Sequence, residues 1–372
     1  FPSRRRHTRL GRWSRGLGDV YKRQLLLGSH SDTQPTGGWL DGALGVIYAL
    51  EIATALAENP ETDHLAIDVA SWADEESHYL GMMGSRSFCG ELTEDEIDLA
   101  RNDEGESLRD ALTRAGFSGR SRHRLDPRRY LGYIEAHIEQ GPWLEATDKR
   151  IGVVTSIIGM CDLGVTIRGQ QNHAGTTPMH MRRDAAQTLF EFCRRIDAEF
   201  GLLAGEHSVW TVGQITLRPN ARSIVPGLVK ANLQFRDPDQ ARVERLKRRA
   251  FELAREMDRT DSCNIEIEVH DDSARAVDMD QSMRDALAAA ADKLAPKVWQ
   301  HMPSGAAHDA QVLGAHMPTG MLFIPSIGGI SHDFTEDSNE SDIVLGCEVL
   351  AEAVVGLLQG GRDGRTAPSA QE

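Results

Sequence analysis

The chain has 372 residues, 40% of them hydrophobic and 26% charged, the proportions of an ordinary globular protein with room for two domains. A net charge of −15 argues against nucleic acid as a partner, and with no uninterrupted run of 18 apolar residues no membrane partner is expected. The five cysteines (Cys89, Cys161, Cys193, Cys263 and Cys347) are scattered and none forms a C-x-x-C pair, which points away from a disulfide framework and a thiolate zinc site and towards a reducing, cytoplasmic setting.

Residues 1–24 hold eight Lys/Arg and one acid, Asp19. They lack an initiator Met and stop abruptly at an apolar strand, so they read as a non-native segment and are set aside from the fold. The remainder carries 33 basic and 55 acidic residues, a net of −22. Leu25-Leu26-Leu27 predicts a buried strand leading into Gly28-Ser29-His30. Leu44, Ile47, Leu50 and Ile52 recur at helical spacing from Gly42 to Ala57, with Asn59-Pro60 as the stop. Strands are expected over 65–72, ending at Ala73-Asp74-Glu75-Glu76, and over 133–138, ending at Glu139-Gln140-Gly141. Strands interleaved with helices predict an α/β layer fold with functional residues at strand ends.

The middle of the chain has a different rhythm. A strand over 163–168, a helix over 182–200, strands over 209–217 and 228–235, a charged helix over 238–257 and a strand over 264–269 follow in turn. That order, β-α-β-β-α-β, is the ferredoxin-like pattern. It predicts an inserted α+β domain at 158–271, dividing a catalytic domain into 25–157 and 272–372. The second part carries a helix over 283–295, a strand over 321–324 and a helix over 342–358, and the tail after Gly360 is polar.

The chemistry-bearing residues sit in loops beside these strands. His30-Ser31-Asp32 pairs an imidazole with a carboxylate that can brace it. Asp41 lies in Gly37-Gly38-Trp39-Leu40-Asp41-Gly42; a helix N-cap explains the Asp, but the glycine density indicates a close backbone approach, and a carboxylate held there can bridge two cations. Asp74-Glu75-Glu76 is either a solvated acidic turn or a site where one carboxylate ligates and its neighbour serves as general base. His137, His173, His308 and His332 all occupy Gly/Ser-rich or strand-end settings, and together with His30, Asp41 and Glu76 they favour a metal site over isolated structural histidines.

Six separated segments, GSHSDTQPTGGWLDGALGV, ADEESHYLGMMGS, EAHIEQGPWLE, QNHAGTTPM, PNARSIVPG and GGISHDFTEDSNESDI, resemble the M20 metallopeptidase superfamily and its hydantoinase/carbamoylase branch. The resemblance runs through 25–358. It implies an α/β, zinc-exopeptidase-like mixed-sheet catalytic domain carrying a ferredoxin-like lid and dimerisation domain. It also implies two divalent metal ions per subunit (Zn first, with Mn, Co or Ni as other candidates), a small substrate bearing a carboxylate, and a homodimer formed through the insert. By the same resemblance His30, Asp41 and His137 hold one metal and Asp41, Glu76 and His332 the other. Glu75 is the general base, Asp32 the carboxylate behind His30, and His173 the oxyanion donor, reaching the site across a dimer interface or on domain closure. Gln140, His308, Arg236 and Ser223 fall at substrate-binding positions. Ser223 departs from the asparagine many members carry there; a serine is shorter and lacks the amide donors, so water takes over that interaction with the substrate or nothing does. The implied reaction is hydrolysis of N-carbamoyl-L-amino acids. Allantoate hydrolysis or another amidase or peptidase activity of the superfamily is the alternative, and a non-catalytic binding protein on the same fold is a more distant one.

Overall fold

A computed structural model describes residues 24–260, 263–270 and 274–363; the basic opening stretch and the polar tail beyond 363 fall outside the described residues. The larger unit is built on a seven-stranded mixed sheet. Gln24–His30 lies between Ile67–Trp72 and Tyr130–Ile138, parallel to both, and Thr319–Ile324 runs parallel along the far side of Tyr130–Ile138. Ile151–Ile157 then pairs antiparallel with Thr319–Ile324, and Trp299–Ser304 pairs parallel with Ile151–Ile157.

Strict alternation explains why these strands read as continuous apolar runs. Leu25 and Leu27, with Ile134, Ile138, Leu322 and Ile324, face the helices Ala43–Glu58, Gln281–Leu294 and Glu340–Asp363. Leu26, Tyr133, Met321 and Phe323 point the other way, towards Trp72, Phe88 and Leu313. A strand covered on both faces needs apolar residues at every position. Glu340–Gly360 is by length and composition apolar enough to cross a membrane, but Leu345, Val349, Leu350, Ala353 and Val354 of this helix are packed into the core.

The insert has its own antiparallel sheet, in the order Asn264–Val269, Gly159–Arg168, Leu228–Asp237, Val209–Arg218. Helices Ala185–Leu203 and Gln240–Thr260 cover one face, and Leu163, Val165, Ile167, Phe192, Phe200, Phe235, Leu246 and Met257 form a separate core beneath them. Asp184 starts the first of these helices, accepting hydrogen bonds from the backbone N–H groups of Ala186 and Gln187.

Several elements were not expected from the sequence. Ile151–Ile157 and Trp299–Ser304 are strands, and Met83–Cys89, Glu94–Leu99 and Leu108–Arg114 are short helices. The helices are too short to develop a periodic apolar face; Thr93 announces one of them locally through a capping box with Glu96. Asp41 is not a helix cap. The cap position belongs to Gly42, at φ 66°, and makes no side-chain cap bond.

Candidate metal centre and catalytic cleft

The parallel strands deliver their side chains to one edge of the sheet. His30 closes Gln24–His30, Glu75 and Glu76 follow Ile67–Trp72, and His137 lies at the end of Tyr130–Ile138. Gly42 matters here because a Cβ at that position would lie 2.3 Å from the His30 ring, so only a glycine lets the Asp41 loop close over the imidazole. His30, Asp41, Glu75, Glu76, His137, Gln140, Arg236, His308 and His332 all line one cleft of about 1540 Å³.

Asp41 stands at the centre, buried, with its two oxygens facing different partners. Oδ1 lies 3.2 Å from His137 Nε2 and 3.6 Å from His30 Nε2, while Oδ2 lies 3.2 Å from His332 Nε2. Glu76 Oε1 is 3.7 Å from the same His332 nitrogen. The ligand atoms therefore fall into two sets that share Asp41: His30, Asp41 and His137, and Asp41, Glu76 and His332. The histidines of the first set aim the same atom at Asp41. Nδ1 of His30 is bonded to the backbone oxygen of Asp32 (2.8 Å) and Nδ1 of His137 to that of Ile138 (2.9 Å), so Nε2 is the nitrogen each turns towards the centre. Burial works against ionising Asp41, yet the hydrogen bond and charge of His137, together with His30, hold its carboxyl well below the usual carboxylate range.

The donor set fits divalent metal ions on a direct test. Glu76 Oε1 is buried and finds no hydrogen-bond partner among the described residues, while its Oε2 accepts from Gln34 Nε2 at 2.7 Å. A buried carboxylate oxygen left unpaired beside the His332 imidazole nitrogen and a second carboxylate suits a cation. Mixed nitrogen and oxygen ligands of this kind are used by Zn, Mn, Co and Ni.

Glu75 lies behind the first set, its Oε2 3.8 Å from His30 Nε2. Burial, then the charges of Asp309 and Glu76, push its carboxyl up to about 10. His308 is fully buried, with its ring centroid 4.6 Å from that of His137; Nε2 meets Ser304 Oγ at 3.0 Å and Nδ1 has no partner among the described residues. Burial, with the charges of His137 and His30, keeps this imidazole neutral. Gln140 Nε2 donates to Asp41 Oδ2 at 3.2 Å. Arg236 reaches the cleft from the inserted sheet, its guanidinium steadied by Gln234 Oε1 at 2.9 and 3.0 Å. Asp74, Gln140 and His332 all adopt positive φ (58°, 57° and 56°), backbone strain of the kind concentrated at functional sites.

Two expected residues sit elsewhere, and a third meets its partner through a different atom. The Asp32 carboxylate does stand behind His30, but its Oδ1 is 3.9 Å from Nδ1, beyond hydrogen-bond reach. It turns instead to the acidic loop, accepting from the backbone N–H groups of Asp74 and Glu76 at 3.1 Å each, and the Asp32 backbone oxygen takes over the imidazole. The reason is the tight turn after the strand, which brings the carbonyl closer to the ring than the side chain. His173 and Ser223 are exposed and do not line the cleft. His173 lies in a two-stranded ladder within the insert, Asn172–His173 with Ile224–Val225, and Ser223 just precedes the second strand, where Ala174 N–H donates to its backbone oxygen. His173 Nδ1 accepts from the backbone N–H groups of Gly175 and Thr176 at 3.0 and 3.1 Å, which leaves Nε2 as the protonated, outward-facing donor.

Sequence reasoning missed the supports of the site. Gln34 holds Glu76, and the Asp74 carboxylate accepts from the N–H groups of His78, Tyr79 and Leu80 to shape the acidic loop. Glu336 is buried between the Asp41 and His332 loops. Its signal, an acid four residues after His332, is indistinguishable in sequence from the exposed acids around it.

The chain is similar to known proteins of one family. A sequence profile of peptidase family M20/M25/M40 matches residues 26–355. An N-carbamoyl-L-amino-acid amidohydrolase of Rhizobium meliloti is 36% identical over 339 residues, 88% of this chain and 78% of that protein. An allantoate amidohydrolase of Escherichia coli K12 is 33% identical, covering 90% of this chain and 81% of its own length. The crystal structure of a hydantoinase/carbamoylase-family amidase from Burkholderia phymatum superposes with a TM-score of 0.85 at 49% identity, covering 91% of this chain and 82% of that one.

Proposed function

This chain belongs to peptidase family M20/M25/M40 as an amidohydrolase of non-peptide C–N bonds, and from that premise we propose that it cleaves N-carbamoyl-L-amino acids to the amino acid, ammonia and carbon dioxide. The observation that carries the reading is Asp41, whose two oxygens face two separate ligand sets. In this reading two divalent cations are bound, zinc first, one by His30, Asp41 and His137 and one by Asp41, Glu76 and His332. Held there, they supply Lewis acidity to the carbonyl and acidify the attacking water.

The chain's own residues do the rest. Glu75, beside His30, would be ionised once bound cations offset the burial and carboxylate charges that keep it protonated without them, and it then takes the proton from the attacking water and returns it to the leaving nitrogen. Arg236 clamps the substrate carboxylate with a planar two-pronged donor, while Gln140 and the unpaired His308 Nδ1 are the polar groups that orient the ureido end. His173 contributes Nε2–H to the developing oxyanion. Because His173 lies outside its own cleft, the donor comes from a second copy or from closure of the insert. A homodimer through the insert is supported by Val209–Arg218, an edge strand of the inserted sheet with Val209 and Ile215 exposed, and by exposed Phe190 and Leu202 on the neighbouring helix.

Allantoate is the second substrate to weigh, because the Escherichia coli relative is named for it. The test is ammonia release from a panel of N-carbamoyl-L-amino acids and from allantoate, using protein loaded in turn with Zn, Mn, Co and Ni. Preference for carbamoyl amino acids is the expected result. Preference for allantoate replaces the substrate but keeps the centre, and absence of both bound metal and turnover under every loading overturns the reading.

A further inference from the structure

We infer that Glu336 is a positioning residue that sets Asp41 in its bridging orientation and thereby governs retention of metal at the set completed by Glu76 and His332. The inference rests on the two-cation reading above and adds a residue that touches neither ligand atom nor substrate.

Glu336 is 2% exposed and makes no ion pair with a Lys or Arg among the described residues. Its charge is held by three donors alone. Oε1 accepts from the backbone N–H groups of Leu40 (3.2 Å) and Asp41 (3.0 Å), and Oε2 accepts from Ser331 Oγ (2.8 Å). All three point their hydrogens at the carboxylate, so the group anchors both loops. Gly38 shows how closely the loop is drawn round it: a Cβ there would lie 2.2 Å from Glu336 Oε1. Gly38 thus has a cause in a carboxylate that lies almost 300 positions further along the chain.

The bonds close into a ring. Ser331 Oγ accepts from Gln140 Nε2 at 3.1 Å, and Gln140 Nε2 also donates to Asp41 Oδ2 at 3.2 Å. Asp41 is therefore held at its backbone by Glu336 and at its carboxylate by Gln140, with Ser331 joining the two. Two constraints on one short side chain leave Oδ1 facing His30 and His137 and Oδ2 facing His332. The ring also ties the loop carrying His332 to the loop carrying Asp41, so one carboxylate sets the separation of two ligands. Partners of this kind behind a metal ligand matter to affinity, typically by roughly 10–100-fold.

The experiment uses the full chain stripped of metal, with Zn²⁺ returned against a chromophoric chelator to count equivalents and rank their affinities, beside thermal melting of the stripped protein. Glu336→Gln keeps an oxygen for the two backbone N–H groups but turns an amide N–H towards Ser331, which reverses that bond and removes the charge that fixes the Ser331 hydroxyl as a donor. Expected are a melting temperature close to wild type, one equivalent bound as in wild type, and a second weakened by roughly 10–100-fold. If that variant does not fold, Ser331→Ala cuts the same ring while leaving the backbone bonds of Glu336, and the same loss of the second equivalent is expected. Two equivalents at wild-type affinity in a folded variant overturn the inference. A wild-type chain that binds fewer than two equivalents instead overturns the two-cation reading, so the two failures are told apart.

Discussion

Replacing Glu75 with glutamine separates the proton-transfer role from every other property of the centre. The side chain keeps its length and its place 3.8 Å from His30, but it can no longer accept a proton. Loss of a general base costs about 10²–10⁴ in kcat. Metal stoichiometry is expected to be unchanged, because Glu75 belongs to neither ligand set. The stripped protein provides a second readout. Burial and neighbouring carboxylates raise Glu75 from its ordinary 4.5 to about 10, so the folded chain holds a proton that the unfolded chain releases above 4.5. The stability this group contributes is then full below about pH 4.5 and falls steadily as the pH rises towards 10. At about 1.4 kcal/mol per pH unit, the cost at pH 7 reaches at most about 3.5 kcal/mol. Glu75→Gln removes that cost. Urea unfolding of both stripped proteins from pH 5 to 8 should therefore show the variant gaining on wild type as pH rises, while metal-loaded steady-state kinetics show turnover lost. Near wild-type kcat would refute the base assignment, and parallel stability profiles would refute the burial argument.

Asp41→Asn weakens the carboxylate shared by both ligand sets, and the affinity for metal is expected to fall by about 100-fold, read by elemental analysis after dialysis; full retention would remove the bridging role. Arg236→Lys replaces a planar fork with a point charge and should raise KM for a carboxylate substrate by roughly 10–100-fold with kcat little changed. An equal rise for an uncharged analogue would dismiss the clamp. For His173, co-expression of His173→Asn with Glu75→Gln distinguishes the two routes to the cleft: if the donor acts across a dimer, half the dimers regain one intact site and activity returns to about a quarter of wild type. No recovery places the donor in its own subunit.

Period-based reading worked where one element presents one kind of face. The alternation at 264–269 and the helical spacing from Gly42 to Ala57 correspond to Asn264–Val269 and Ala43–Glu58 in the structure. It failed at Ile151–Ile157, because Ile151 and Val153 pack with one core while Val154 and Ile157 pack with the other, and a run apolar on both faces carries no period. The stretch from Met83 to Arg114 failed for the opposite reason: helices of seven, six and seven residues span two turns or fewer, and their stability comes from caps and from contacts such as Leu92, Ile97 and Leu108 rather than from a long amphipathic stripe.

The candidate site was legible in its ligands and opaque in its supports, and the two follow from one physical difference. A residue that works through side-chain chemistry is restricted in type, so His30, Asp41, Glu76, His137 and His332 stand out among glycines and strand ends. A residue that works through where a hydrogen bond lands is restricted only by the folded backbone. Asp32 shows this directly: its carbonyl serves His30 and its carboxylate serves the N–H groups of Asp74 and Glu76, a division that depends on a turn no spacing rule reports. Glu336 shows it over a longer range, since its value lies in meeting Leu40, Asp41 and Ser331 at once. His173 lies between these cases. Its type and its Nε2–H suit a donor, yet it lies outside the cleft of its own subunit, so under the proposed reading its role depends on a second copy or on closure of the insert. The exposed edge strand Val209–Arg218 is where that arrangement is open to test, because pairing there both buries Val209 and Ile215 and brings a second insert to the first.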